Sequence, residues 1–405
     1  MRILGIIAEC NPLHKGHIDL IRRAKEITGA GCCIVFMSGD YVQRGAPACI
    51  DKYTRSRALL ENGADIVIEL PLYTALSSAD GFAKGAVALA DSLGVVTDLC
   101  FGSEGADMEE LDRSAYVLAG AGQDLQDQIK ERIAAGASYP EAFACAAARL
   151  GIRMPDTPND ILGLQYLIAL KERGSDIQPH ALSRINAPSA SDIRSYYTDP
   201  GRLLSDDPPD MTMASFFNEI YGGIPAVSEN DYSGILLYKL REELFRKTDL
   251  TRYYDVSREL ADRIRNALPS FTTFRETAGV IKCRNYTYTR ISRVLMHIVL
   301  GMTEEEAAAH KASGFASYIH MLGMRSLAGP TVSLIGKTSR LPVVTGSRSS
   351  YEQLGPAQQA VMDREEAAAD LYEALLWKKT YAHRTDIDKM PQQRTRRFLT
   401  VYDEV

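Results

Sequence analysis

Met1-Arg2-Ile3-Leu4-Gly5-Ile6-Ile7-Ala8-Glu9-Cys10-Asn11-Pro12-Leu13-His14-Lys15-Gly16-His17 opens the chain. Ile3 to Ala8 is a short apolar run rich in β-branched residues. It stops at a glutamate, has one basic residue before it and lacks a cleavage-type ending, so it reads as a first β-strand and not as a signal peptide. Beyond the turn residues Pro12 and Gly16, Ile18, Leu20, Ile21, Ala24 and Ile27 recur at helical spacing. A strand that feeds a glycine-containing turn into a helix start aims backbone N–H groups and the positive end of the helix dipole at one spot, which suits a phosphate. His14 and His17, three apart, share that first turn and can donate hydrogen bonds to phosphoryl oxygens as charge develops. The competing readings are a zinc pair or two solvated histidines. Zinc is disfavoured by the spacing, by the missing glutamate base and by the absence of a nearby cysteine pair, so no metal site is expected.

Further apolar runs at Cys33 to Met37, Ile66 to Leu70, Val95 to Phe101 and Ile177 to Ser183 alternate with helical patterns. This alternation predicts an α/β fold, a Rossmann-like parallel sheet with helices on both faces. Asp107 to Leu150 and Asn159 to Arg173 are helical by period. Ser205-Asp206-Asp207-Pro208-Pro209-Asp210 reads as a linker, because prolines and like charges disfavour helix and strand alike. After it, Met213 to Tyr221, Tyr232 to Arg246, Ser257 to Leu268, Tyr286 to Leu300 and Ala357 to Trp377 are helical, with few strand candidates. The expectation is an α/β domain over 1–204 and a mainly α-helical domain over 205–405.

The 405 residues exceed what one hydrophobic core usually serves, in keeping with two domains. With 45% hydrophobic and 24% charged residues the composition is that of an ordinary globular protein, and no apolar run is long enough for a membrane span. Seven cysteines form no C-x-x-C pair and leave one over, which argues against a disulfide framework and for a reducing cytoplasm. At a net charge of −6 the chain as a whole does not attract nucleic acid, so any RNA contact must come from local patches.

The His14-Lys15-Gly16-His17 element resembles the HxGH motif of the nucleotidyltransferase superfamily. Asn11 to His17 combine with four further blocks: Met37-Ser38-Gly39 with Gln43 to Ala48, Gly63 to Pro71, Phe101-Gly102-Ser103-Glu104, and Pro158 to Gly163. Together they resemble the bacterial tRNA(Met) cytidine acetate ligase family, through the N-terminal half and more weakly to Leu327. The resemblance implies a two-step reaction. Acetate and ATP, the latter carrying Mg2+, give acetyl-adenylate and pyrophosphate, and the wobble cytidine of elongator tRNA(Met) then takes the acetyl group on its exocyclic amine. The alternative is a metabolic adenylyltransferase of the same superfamily acting on a phosphorylated cofactor precursor.

By the family pattern, ATP contacts fall on Ile7, Ala8, Glu9, Cys10, Asn11, Pro12, Leu13, His14, Lys15, Gly16, His17, Ile18, Asp19 and Leu20, and on Gly102, Asn159 and Arg184. Read singly, Gly102 is also a plain turn, Asn159 a helix N-cap and Arg184 a surface charge. The superfamily's second phosphate motif, S-S-T-x-I-R, is matched here by Ser189-Ala190-Ser191-Asp192-Ile193-Arg194. Asp192 replaces the usual hydroxyl, so Ser191 and Arg194 are the donors retained. The catalytic candidates are His14, His17, Arg44 and Lys52, the last two in a polar loop from Ser38 to Lys52 that reads as a lid over a water-sensitive intermediate or as a solvated loop.

In the second half, Lys282 to Arg293 interleave basic and aromatic residues. Arg284, Tyr286, Tyr288, Arg290 and Arg293 are the tRNA candidates, through phosphate pairing and base stacking. On residue pattern alone, an amphipathic helix packing on its own domain fits equally well. The basic stretch from Lys378-Lys379 to Arg394, Arg396 and Arg397 has the composition of a tail.

Overall fold

A computed structural model describes residues 1–135, 137, 139–185, 190–198, 225–381 and 398–402. The Ser205 to Asp210 linker, the Met213 to Tyr221 helix, Ser189, and Arg394, Arg396 and Arg397 lie outside the described residues.

Strand β1 (Ile3–Ala8) lies at the centre of the main sheet. Both its faces are covered, so Ile3, Leu4, Ile6 and Ile7 are all buried, as a central parallel strand requires. On one side it pairs in parallel with β2 (Cys32–Ser38), from Ile3 opposite Cys32 to Ala8 opposite Met37. After the short hairpin of β3 (Tyr41–Val42) and β4 (Ala46–Pro47), β5 (Ile66–Leu70) extends the sheet beyond β2. On the other side of β1 come β6 (Asp98–Ser103) and β7 (Gln178–Ser183), again in parallel. The chain thus winds outward in one direction from β1 through β2 to β5, then crosses back to β6 and β7. The reversal leaves a crevice at the carboxyl ends of β1 and β6, where open α/β sheets hold ligands.

Helix α1 (Lys15–Thr28) follows β1 and ends at Gly29, whose φ of +64° is the left-handed cap that glycine adopts without penalty. The helical stretch expected over Asp107 to Leu150 is divided into helices Met108–Gly120, Gly122–Ala134 and Tyr139–Arg149, with the first break at Gly122, φ +47°.

The second half is mainly helical, with helices at Ser233–Phe245, Arg258–Ala267, Phe274–Ile281, Tyr288–Leu300 and Pro356–Tyr381 among others. It also returns to the sheet. Strand β8 (Ile319–Arg325) pairs antiparallel with β5, and β9 (Val343–Val344) and β10 (Leu399–Val401) each pair in parallel with β8. The hairpin of the first half is gripped in turn by the helices: Tyr41 donates to Ala368 O at 2.8 Å, and Tyr372 donates to Ala48 O at 2.8 Å. Both rings are fully buried, and each contributes on the order of 2 kcal/mol of apolar burial to holding the two halves together. No described helix is long and apolar enough to cross a membrane.

Candidate active site

The turn after β1 is built as the spacing predicts and is tied down more firmly. His14 is the N-cap of α1, and its Nδ1 accepts the Gly16 N–H at 3.0 Å. The Nδ1 of His17 accepts the His14 N–H at 3.3 Å, closing a reciprocal cap of the kind usually made by serine and glutamate. The two rings lie 4.0 Å apart. A nitrogen that accepts a backbone N–H carries no proton, so in each neutral ring the proton is on Nε2, available as a donor. Burial, then Arg184 and Arg194, brings His14 down to about 4, and burial, then His14 and Arg184, holds His17 well below its ordinary value. Both rings are therefore neutral donors at physiological pH.

The unfolded chain would protonate His14 near 6.5, so its contribution to stability is present above that pH and fades as the pH falls toward about 4. An NMR titration of the His14 ring is expected to show no protonation until about pH 4. An inflection at 6.5 would contradict the cap geometry.

These rings line a cleft of about 450 Å³ at the sheet reversal. Of the ATP candidates, Ile7 to Asn11, His14, Gly16, His17, Asp19, Leu20, Gly102, Asn159, Arg184, Ser191 and Arg194 all border it, as does Arg44. Pro12, Leu13, Lys15 and Ile18 do not, and Leu13 is buried in the core beneath. Arg194 donates to Asn11 O, while Asn11 Oδ1 accepts the Cys49 N–H at 2.7 Å, so the turn is braced from two sides. Burial pushes the Cys10 thiol up to about 12, which leaves it a packing residue.

Asn159 is not the N-cap of its helix, because the helix begins at Pro158 and the cap position is Thr157. Its amide instead donates to Glu104 Oε1 at 2.6 Å, and Arg184 Nη1 meets the same oxygen at 3.3 Å. Glu104 therefore joins two nucleotide candidates across the rim. It was not among the sequence candidates, although it closes the quoted Phe101-Gly102-Ser103-Glu104 block.

Two expectations need revision. The Ser38 to Lys52 segment is neither solvated nor a free lid: apart from its tip at Gln43 and Arg44 it is buried almost throughout. Gly45, at φ +76°, lies so close to the Tyr288–Leu300 helix that an added Cβ would meet Arg293 N at 2.1 Å, and Ser292 Oγ donates to Gly45 O at 2.7 Å. Lys52 does not border the cleft. Its ammonium is buried against Glu69 at 2.9 Å, and Glu69 also meets His320 at 2.7 Å. Burial alone would lower the Lys52 pKa, yet the Glu69 and Asp40 carboxylates hold it above its ordinary range. The geometry thus gives Lys52 a structural ion pair.

Arg55 was missed altogether. Its fully buried guanidinium donates to the backbone carbonyls of Ile50, Glu9, Ser38 and Gly39, pinning the carboxyl ends of β1 and β2. In sequence it looks like one more basic residue on an exposed helix face.

The model of the HIGH Nucleotidyl Transferase family matches residues 1–387. A protein of Acetivibrio thermocellus named tRNA(Met) cytidine acetate ligase is 33% identical over 394 residues, covering 92% of this chain and 94% of its own. The chain belongs to the tRNA(Met) cytidine acetate ligase family of HIGH nucleotidyltransferases. A family member from Syntrophotalea carbinolica, with the same name, is 33% identical over 375 residues, covering 87% of each chain. The crystal structure of Thermotoga maritima TmcAL bound with alpha-thio ATP superimposes with a TM-score of 0.84 at 28% identity, covering 99% of this chain and 100% of that one.

Of the residues expected at an RNA surface, Arg284 is exposed and Tyr288 is half-buried. Tyr286 is buried, with its hydroxyl 2.8 Å from Ser257 Oγ and donating to Glu259 at 3.1 Å, so its ring is not presented for stacking. Arg290 pairs with Asp255 at 2.8 Å, and Arg293 donates to Gln43 O at 3.4 Å.

Proposed function

We infer that this chain is an ATP-dependent acetate ligase that makes acetyl-adenylate and passes the acetyl group to the wobble cytidine of elongator tRNA(Met), giving N4-acetylcytidine. The single observation that carries the reading is the neutral His14–His17 pair at the start of α1, bordering a cleft at the sheet reversal. The relatives' names favour it over a metabolic adenylyltransferase. ATP would lie with its phosphates over the first turn of α1, magnesium arriving on the triphosphate. As acetate attacks the α-phosphorus in line, the Nε2–H groups of His14 and His17, with Arg44 and Arg194, would stabilise the growing negative charge. Gly102, Asn159 and Arg184 would hold the nucleoside side of the cleft, Arg184 exchanging its contact with Glu104 for one with the ligand.

The RNA would approach along the Tyr288–Leu300 helix and the exposed Arg284 beside it. Arg284→Ala is expected to weaken binding to all tRNAs alike and to lower the salt slope of binding by about 1. Unchanged affinity across a salt series would move the RNA elsewhere. The function itself is tested by mass spectrometry of tRNA nucleosides after incubation with ATP and labelled acetate. Label in N4-acetylcytidine of tRNA(Met) supports the reading, and its absence in the presence of an active, folded protein overturns it.

A further inference from the structure

The second step needs a base. The amine of cytidine shares its lone pair with the ring and is a weak nucleophile, and attack on the acetyl-adenylate carbonyl leaves positive charge on nitrogen until a proton departs. The titratable groups bordering the cleft differ in their freedom to take it. The Nδ1 atoms of His14 and His17 accept backbone N–H groups, and their Nε2 atoms already carry protons. Asp19 is paired with Arg22 at 2.8 Å and Arg23 at 3.3 Å. Glu104 is held by Asn159 and Arg184. Burial leaves the Cys10 thiol protonated, and burial together with the nearby Glu9 does the same for the Tyr166 hydroxyl.

Glu9 remains. Half-buried at the carboxyl end of β1, it makes no ion pair among the described residues. Its Oε1 accepts the Gln43 N–H at 2.9 Å. Although Glu9 is among the expected ATP contacts, a carboxylate in this place repels a triphosphate, so holding the phosphates gives no reason for its charge. Its surroundings give another. The carbonyl of the same Gln43 accepts from Arg293 on the Tyr288–Leu300 helix, so one hairpin-tip residue joins Glu9 to the helix along which RNA is proposed to approach. Glu9 is the cleft carboxylate on that side.

We propose that Glu9 is the general base of acetyl transfer, a role that rests on the ligase reading above. Cytidine N4 attacks the acetyl carbonyl carbon and forms the C–N bond. The bond from that carbon to the phosphate oxygen breaks, AMP leaves with the electron pair, and the N4 proton passes to the Glu9 carboxylate. Gln43 holds one carboxylate oxygen in place through its N–H.

Glu9→Gln keeps an acceptor for the Gln43 N–H and removes the base. Because Glu9 also borders the cleft expected to hold ATP, acetate-dependent exchange of pyrophosphate into ATP by the full chain is expected to fall, but far less than acetyl transfer. Acetyl-hydroxamate formation with hydroxylamine, a nucleophile strong enough to need no base, should track the loss in exchange and not the larger loss in transfer. Single-turnover transfer of acetyl to tRNA should fall by roughly 10²–10⁴-fold. Transfer at the unaltered rate would overturn the assignment, and so would an equal loss of exchange and transfer in a variant with an unchanged unfolding midpoint, which would place Glu9 in the first step. If the glutamine variant does not fold, Glu9→Asp, which retracts the carboxylate by one methylene, decides between the same outcomes: transfer slowed at least about tenfold more than exchange supports the base, and equal effects on both steps contradict it. Absence of acetate-dependent exchange in the unaltered protein would remove the functional reading itself, and this proposal with it.

Discussion

His17→Ala is expected to lower acetate-dependent pyrophosphate exchange by roughly 10²–10³-fold while tRNA binding is retained, the effect typical of removing one donor aimed at a developing oxyanion. The reason lies in how the ring is held. Its Nδ1 is occupied by the His14 N–H, its proton is on Nε2, and burial keeps it neutral, so the donor is set before substrate arrives. The substitution also frees one backbone N–H at the helix start, with a cost to stability of about 1 kcal/mol. A small fall in unfolding midpoint with a large fall in exchange is therefore the expected pair of results. Exchange within a few-fold of the unaltered protein would take His17 out of catalysis. His14→Ala should lose more stability, because His14 is the N-cap itself.

Arg55→Leu is expected to be the most destabilising single change near the cleft. One guanidinium satisfies four backbone carbonyls that converge from the carboxyl ends of β1 and β2 and from Ile50 beyond the hairpin, and it is wholly removed from solvent. Leucine fills part of the volume and leaves those acceptors without donors, at about 1–3 kcal/mol each. A loss of at least about 4 kcal/mol follows, a large share of the 5–15 kcal/mol typical of a folded protein. Arg55→Lys should recover only part of it, since an ammonium cannot span the four positions that a planar fork reaches. Urea unfolding monitored by circular dichroism measures both, and a loss below about 1 kcal/mol for the leucine variant would show that the carbonyls find other partners.

The strand, turn and helix from Ile3 to Thr28 were legible in sequence because their cause is local. A β-branched run, a turn and a helical period lie within one short stretch, and the physics linking them acts over neighbouring residues. The β1 and β5 boundaries agree with the runs read from the sequence for the same reason. β8 was not legible. Ile319-His320-Met321-Leu322-Gly323-Met324-Arg325 lacks both β-branched density and clean alternation, and it becomes a strand because β5 offers an open edge far away in sequence. The Ser38 to Lys52 segment looked mobile because glycine, proline and polar residues mark it, whereas the partners that bury it, Tyr232, Ser292 and Tyr372, come from the other half of the chain. Tyr286 was misplaced in the same way: the helix expected from Tyr286 begins only at Tyr288, and the Ser257 and Glu259 groups that hold the Tyr286 hydroxyl are remote in sequence and could not be counted. Glu104 and Arg55 owe their importance to convergence in space, and no spacing rule reports that.

The central claim is that the triphosphate of ATP rests on the first turn of α1. A crystal structure of this chain with a non-hydrolysable ATP analogue tests it most directly. The account predicts α-phosphate oxygens within hydrogen-bond reach, about 2.7–3.2 Å, of the Nε2 atoms of His14 and His17. A nucleotide bound elsewhere, or bound here with both imidazoles turned into the protein interior, would contradict it.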